Sequence, residues 1–212
     1  MRVFKGNKAK TSPERFTELL FARRKRVAKK NLRSVANGFI KRMNGISDIK
    51  NGRLKSHIVF FRKNNEFELD ISLERENRKL ADSRVTIRRF GGKLELEIGY
   101  FQGIWGAGKE SYTRFMAENQ GIPWNVSLVG SIVKAAYKSD FDRVLLRDIT
   151  TTYDYESPQN LVLSRRNADD VRNAMKQLYT RTRKACNFTK EEWRGKSEPG
   201  YSKTRYWIRE FP

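Results

Sequence analysis

The chain has one cysteine and one histidine in 212 residues. With Cys186 alone, no intrachain disulfide can form, which fits a reducing compartment. With His57 alone, the four-ligand Cys/His sites of zinc fingers are excluded. A Cys186–His57 nucleophilic pair would need the two side chains to meet in space. Their local contexts favour plainer roles, Cys186 on a helical apolar face and His57 where a strand begins. No apolar run approaches the roughly 20 residues that cross a bilayer. The start, Met1-Arg2-Val3-Phe4-Lys5, lacks the apolar stretch of a secretion signal, so no membrane association is expected. No complete catalytic motif appears, and an enzyme is not expected. No cofactor is expected either.

Acidic residues are scarce at both ends. The first 44 residues hold 14 Lys or Arg against Glu14 and Glu18, a net charge of +12 out of +21 for the chain. Residues 165–212 add +7, and the middle, 45–164, adds +2. Two basic ends around a nearly neutral centre predict a polyanion or an acidic protein surface as partner. At 38% apolar content, with Leu, Ile, Val and Phe plentiful in the middle, the chain can build a core.

The pattern predicts an α+β fold: a long N-terminal helix packed on an antiparallel sheet of two hairpins, then short helices and an extended basic C-terminal tail. Residues 1–10 read as a flexible basic arm, 11–155 as the core domain and 156–212 as a helical and extended C-terminal extension. Thr11 and Glu14 have capping-box spacing, and the apolar stripe from Phe16 through Leu32, Val35, Phe39 and Met43 carries a helix to about Gly45. Arg23, Arg24, Lys25, Arg26, Lys29 and Lys30 crowd its central turns. Their mutual repulsion predicts a partner that neutralises them.

A two-residue loop at Asn64-Asn65 predicts a hairpin pairing Phe60 with Leu69 and Ile58 with Ile71. Phe67, Leu69, Ile71 and Leu73 would share one face, and Glu66, Glu68 and Asp70 the other. A second loop at Gly91-Gly92 predicts Ile87 opposite Leu96, Val85 opposite Ile98, Arg88 opposite Glu95 and Thr86 opposite Glu97. Residues 74–83 read as a charged, protruding connection. Helices are expected near 111–119, 126–138 and 168–185, with one or two strands between 144 and 153.

Gly103-Ile104-Trp105-Gly106-Ala107-Gly108-Lys109 has the spacing of a phosphate-cradling loop. Glu110 stands where Ser or Thr must hold magnesium, and the preceding strand reads as part of an antiparallel hairpin, whereas such loops arise in parallel sheets. Asp148, after Val144-Leu145-Leu146-Arg147, is a weak second metal ligand. Acidic residues also suggest a metal nuclease: Glu66, Glu68, Asp70 and Glu74 near one strand, Asp140, Asp142 and Asp148 near another. Alternation with a solvated face explains the first group equally well. Trp193-Arg194 and Arg205-Tyr206-Trp207 mix aromatics with cations, as surfaces for single nucleic-acid strands do. The same mixture also anchors protein interfaces.

The stretch Asn51-Gly52-Arg53-Leu54-Lys55-Ser56-His57-Ile58 leads from the helix into the sheet. Later come Tyr112, Phe115, Glu118 and Gly121, and a turn at Pro123 that leads into another helix. This order resembles the small tail-completion and head–tail connector (neck) proteins of long-tailed bacteriophages over roughly residues 13–140. Asn51 stands where the family has Thr, Glu118-Asn119-Gln120-Gly121 loosens the later motif, and the C-terminal third has no counterpart. The resemblance implies a non-enzymatic subunit of a ring, with a hexamer favoured, in the virion after assembly in the host cytoplasm. The ring would join neighbouring portal or adaptor proteins to tail proteins around the DNA channel, with non-specific contact to DNA. The basic residues named above would then be the electrostatic contacts, and Trp105, Trp193, Tyr206 and Trp207 the interface anchors. The alternative is a sequence-tolerant nucleic-acid-binding protein, extended to a metal-dependent nuclease.

Overall fold

The computed structural model describes residues 31–47, 49–62, 66–103, 108–151, 167–195 and 203–212. The first helix among the described residues, α1, spans Leu32–Asn44. Asn31 is extended at φ −60° and ψ 131°, and its side chain accepts the Arg33 N–H. An N-cap of this kind starts a helix rather than continuing one. The expected single helix from residue 11 to about 45 is therefore corrected to a helix beginning at Leu32, and residues 11–30 lie outside the described ones. Leu32, Val35, Ala36, Phe39 and Met43 are its buried face, which is the predicted stripe.

Strands β1 (Gly52–Arg62), β2 (Glu66–Arg75), β3 (Arg78–Phe90) and β4 (Lys93–Gly103) form a continuous antiparallel meander. Helices α2 (Gly108–Glu118) and α3 (Trp124–Lys138) then lead to β5 (Arg143–Arg147) and a 3-10 turn, Ile149–Thr151. Helix α4 (Ala168–Ala185), β6 (Lys190–Gly195) and β7 (Lys203–Glu210) complete the described chain. All seven strands belong to one sheet in the order β1-β2-β3-β4-β5-β7-β6, with β4 and β5 parallel. The expected pair of hairpins with an extended tail is thus corrected to a seven-stranded mixed sheet. No helix among the described residues is long and apolar enough to cross a membrane.

Two local differences stand out in the meander. The protruding 74–83 connection is a tight turn instead, with Glu76 at φ 49° and Asn77 at φ 63° between the paired Arg75 and Arg78. Two consecutive left-handed residues match the twist of a two-residue hairpin. In the first hairpin Arg62 pairs with Glu66 and Ile58 with Leu69, with an irregularity between Ile58 and Phe60. The expected register is therefore displaced: three residues, not two, separate the paired ends, and the irregularity displaces it again. The second hairpin has the register expected of it, on Gly91 and Gly92 at φ 56° and 76°.

One face of the sheet carries the core. Leu69, Ile71, Leu73, Val85, Ile87, Leu94, Leu96 and Ile98 pack with the buried faces of α1 and α3. Phe39 of α1 meets Phe141 edge to face at 5.8 Å. The other face is polar, with a small apolar group of Leu145, Tyr206 and Ile208.

Candidate functional site

Helix α4 is fixed at both ends and along one side. Asn167 caps it by accepting the Asp169 N–H at 3.1 Å. Asp169 and Asp170 lie in its first turn and Arg183 and Lys184 in its last, each of the sign the helix dipole favours. Tyr179 stacks on Phe101 at 4.2 Å, and its hydroxyl accepts the Phe101 N–H at 3.2 Å. The buried Asn125 amide donates to Thr182 Oγ1 at 2.6 Å. Lys176, Tyr179, Thr180 and Arg183, at i, i+3, i+4 and i+7, thereby form one stripe along a cleft.

The facing wall comes from the end of β5, the 3-10 turn and β7: Asp148, Thr150, Arg205 and Trp207. The cleft measures about 100 Å³. Asp148 accepts from the Thr150 N–H at 2.9 Å, the Thr150 hydroxyl at 2.8 Å and Trp207 Nε1 at 2.9 Å. Arg205 pairs with it at 2.7 Å and donates to Thr150 Oγ1 at 3.2 Å. Burial pushes the Asp148 carboxyl up, but the bonds from Thr150 and Trp207 and the Arg205 charge outweigh it, so its pKa lies below the ordinary 3.8. The Arg183 guanidinium lies over the Trp207 ring at 3.7 Å.

On the polar sheet face, the buried Glu95 takes bonds from Arg194 at 2.7 and 2.9 Å and from Arg143 Nε at 2.6 Å. Glu97 takes Arg147 at 2.6 Å, Arg88 at 2.7 Å and the Tyr206 hydroxyl at 3.3 Å. Burial pushes the Glu95 carboxyl up, but the bonds and charges of Arg194 and Arg143 outweigh it, so the net shift is downward. This lattice ties β3, β4, β5, β6 and β7 together across their outer face, which is a structural task.

The structure separates the residues that the sequence grouped. Arg23, Arg24, Lys25, Arg26, Lys29, Lys30 and Trp105 lie outside the described residues. Tyr206, expected as an interface anchor, is 1% exposed and bonded inward to Glu97. Trp207 is partly buried between the core and Arg183. Trp193, on the edge strand β6, is 51% exposed. The reason is strand alternation: β7 enters the sheet, so one of its adjacent aromatics must face each side.

The proposed nuclease carboxylates are spread over separate partners. Asp70 pairs with Arg84, Glu74 with Arg53 and Lys55, and Asp142 accepts the Leu94 N–H. No group of three metal-ligating side chains gathers among the described residues. At the phosphate-loop motif, β4 forms the expected antiparallel hairpin with β3 but also pairs parallel with β5, so the sheet there is mixed. The chemical objection stands: Glu110 occupies the metal-binding position and pairs with Arg114 on α2 at 3.4 Å. Cys186 is buried beside α3, its thiol pushed up to about 11 by that burial, while His57 lies on β1, the opposite edge of the sheet from β6.

Lys176, Thr180 and Arg183 went unread in the sequence. Their helical spacing was visible, but the wall that turns it into a cleft comes from β5 and β7. No protein-family model matches this chain, and no curated protein matches it.

Proposed function

We propose that the protein is a non-enzymatic structural subunit of a tailed-phage virion, a ring-forming neck or tail-completion protein that joins head and tail. The observation that carries this reading is that the second motif stretch, at Glu118-Asn119, docks on Lys50, the residue just before the first. Asn119 Oδ1 accepts the Lys50 N–H at 2.9 Å, and its amide donates back to the Lys50 carbonyl at 3.3 Å. Glu118 is clamped by Arg75, and Phe115 is fully buried. Gly121, at φ 77°, ends the helical segment, and Pro123 caps α3. Segments 69 positions apart thus build one corner of the molecule, as residues that define a shared fold should. The basic ends supply the charge for docking on acidic neighbouring rings or on exiting DNA.

The test is solution mass by light scattering on nuclease-treated protein, at about 0.1 M and then about 0.5 M salt. A closed ring, or a monomer that closes into one when given portal or tail partners, supports the proposal. A monomer that ignores those partners and sheds nucleic acid at high salt sinks it.

A further inference from the structure

The cleft between α4 and β7 has a feature that ring assembly does not require. Three cations line it, Lys176, Arg183 and Arg205, against one carboxylate, Asp148. That carboxylate is already saturated by Thr150, Trp207 and Arg205. The cleft therefore presents positive charge with its single acid turned inward. Two of the cations are held in place beforehand. Arg183 is stacked on Trp207, and Arg205 is braced by Asp148 and Thr150. Such preorganisation removes much of the ordering cost of binding an anion. Arg205 Nε is buried with no hydrogen-bond partner among the described residues, so the guanidinium retains an unsatisfied donor.

Beside the cleft stands a large exposed ring. Trp193 is 51% exposed and opposes Arg205 across the β6–β7 ladder. Its indole N–H donates to Glu191, which fixes the ring on the edge strand. The Arg205 guanidinium carbon lies 5.4 Å from the Trp193 ring centre and 5.5 Å from that of Trp207. A phosphate held on Arg205 would bring its own nucleoside within reach of the exposed indole.

We propose that this surface binds single-stranded nucleic acid. Lys176, Arg183 and Arg205 hold one backbone phosphate, and Trp193 stacks an adjacent base. A duplex keeps its base faces inside the stack, so only a single strand can use the indole. Recognition is sequence-tolerant, because every base has a face to offer and no base edge is read. The site does not depend on ring closure and goes beyond the assembly role.

The experiment must separate this site from the general attraction of the basic ends. The full-length, nuclease-treated protein is titrated into a labelled oligothymidylate and into an abasic strand of equal length, followed by fluorescence anisotropy over a salt series. Two variants at exposed positions, Trp193→Leu and Lys176→Gln, are carried in parallel after their melting is shown to match the parent. The parent is expected to favour oligothymidylate. Trp193→Leu should weaken that binding roughly tenfold, as loss of one stacked base does, and leave abasic binding unchanged. Lys176→Gln should reduce the slope of log affinity against log salt by about 0.7 for both strands, the loss of one phosphate contact. Equal affinity of the parent for the two strands overturns the proposal, as does parental behaviour of both variants or no binding at all. Light scattering on the same samples reads ring formation separately, so failure here is distinct from failure of the assembly role.

Discussion

Arg75 grips Glu118 through two parallel hydrogen bonds, Nε at 3.0 Å and Nη2 at 2.8 Å. The pair joins the end of β2 to the last turn of α2, across 43 positions of sequence. Arg75 is 7% exposed, so the guanidinium is removed from water and depends on its partner. The hydrogen bonds from Arg75 hold the Glu118 carboxyl below the ordinary 4.5. Replacing Glu118 by Gln leaves the buried guanidinium with only the exposed Glu76, at 2.7 Å, as counter-charge. The urea midpoint should fall at pH 7 with an unchanged slope. The stabilisation is present above about pH 4.5 and is lost as pH falls through the lowered folded-state value, so variant and parent should converge in acid.

Glu95 offers a stronger case, because it is fully buried under Arg143 and Arg194. Removing its charge leaves Arg143 and Arg194 to share the single carboxylate of Glu192. Glu95→Gln is expected to cost at most about 3–5 kcal/mol at neutral pH, the range for breaking a buried pair from one side, because Glu192 still faces both arginines. Its folded-state pKa is lowered from 4.5, so the contribution is complete above that value and disappears as pH falls through the folded-state pKa. Denaturant titrations at pH 7 and in acid should show the gap narrowing. A gap independent of pH would mean that shape, and not charge, sets the cost.

Asn77 sits at φ 63° in the β2–β3 turn and accepts from Arg53 Nη2 at 2.8 Å. Valine at that position meets the left-handed penalty that Asn tolerates, about 1–2 kcal/mol. Asn77→Val should therefore lower stability by that amount, and Asn77→Gly should recover most of it. Thermal melts of the three proteins decide the point. Equal melting of the Val and Gly variants would show that the lost Arg53 bond, and not the backbone, is responsible.

Charge reversal tests the basic N-terminal segment. The double variant Arg24→Glu, Arg26→Glu should block assembly with portal or tail partners and leave the melting of the monomer unchanged. Light scattering with and without partner, beside a melting curve, reads both effects. A collapse of melting would assign these residues to the fold instead.

Much of the local structure was legible in the sequence. Helix α4 begins and ends where its periodicity and flanking residues indicated, Ala168–Ala185. The β3–β4 hairpin has the register that Gly91-Gly92 dictates. The alternation Phe67, Leu69, Ile71, Leu73 is the buried face of β2. The turn at Glu76-Asn77 was missed, because a run of charged residues without glycine or proline resembles a solvated loop. Two non-glycine residues accept left-handed conformations there, held by the strands on either side.

The sequence by itself determined helix α4, the β3–β4 hairpin with its register, and the apolar faces of α1 and β2. Those choices follow from side-chain periodicity and turn chemistry within a few residues. Only the tertiary structure decided that β4 and β5 run parallel and that β7 inserts between β5 and β6. Strand pairing across 48 positions, as between β4 and β5, is a competition among open sheet edges, which no local pattern records. That competition buried Tyr206 against Glu97, left Trp193 on the edge and set Arg205 between two indoles. Tyr206, Trp193 and Arg205 come from one basic, aromatic stretch of sequence, and the sheet gave each a different surrounding.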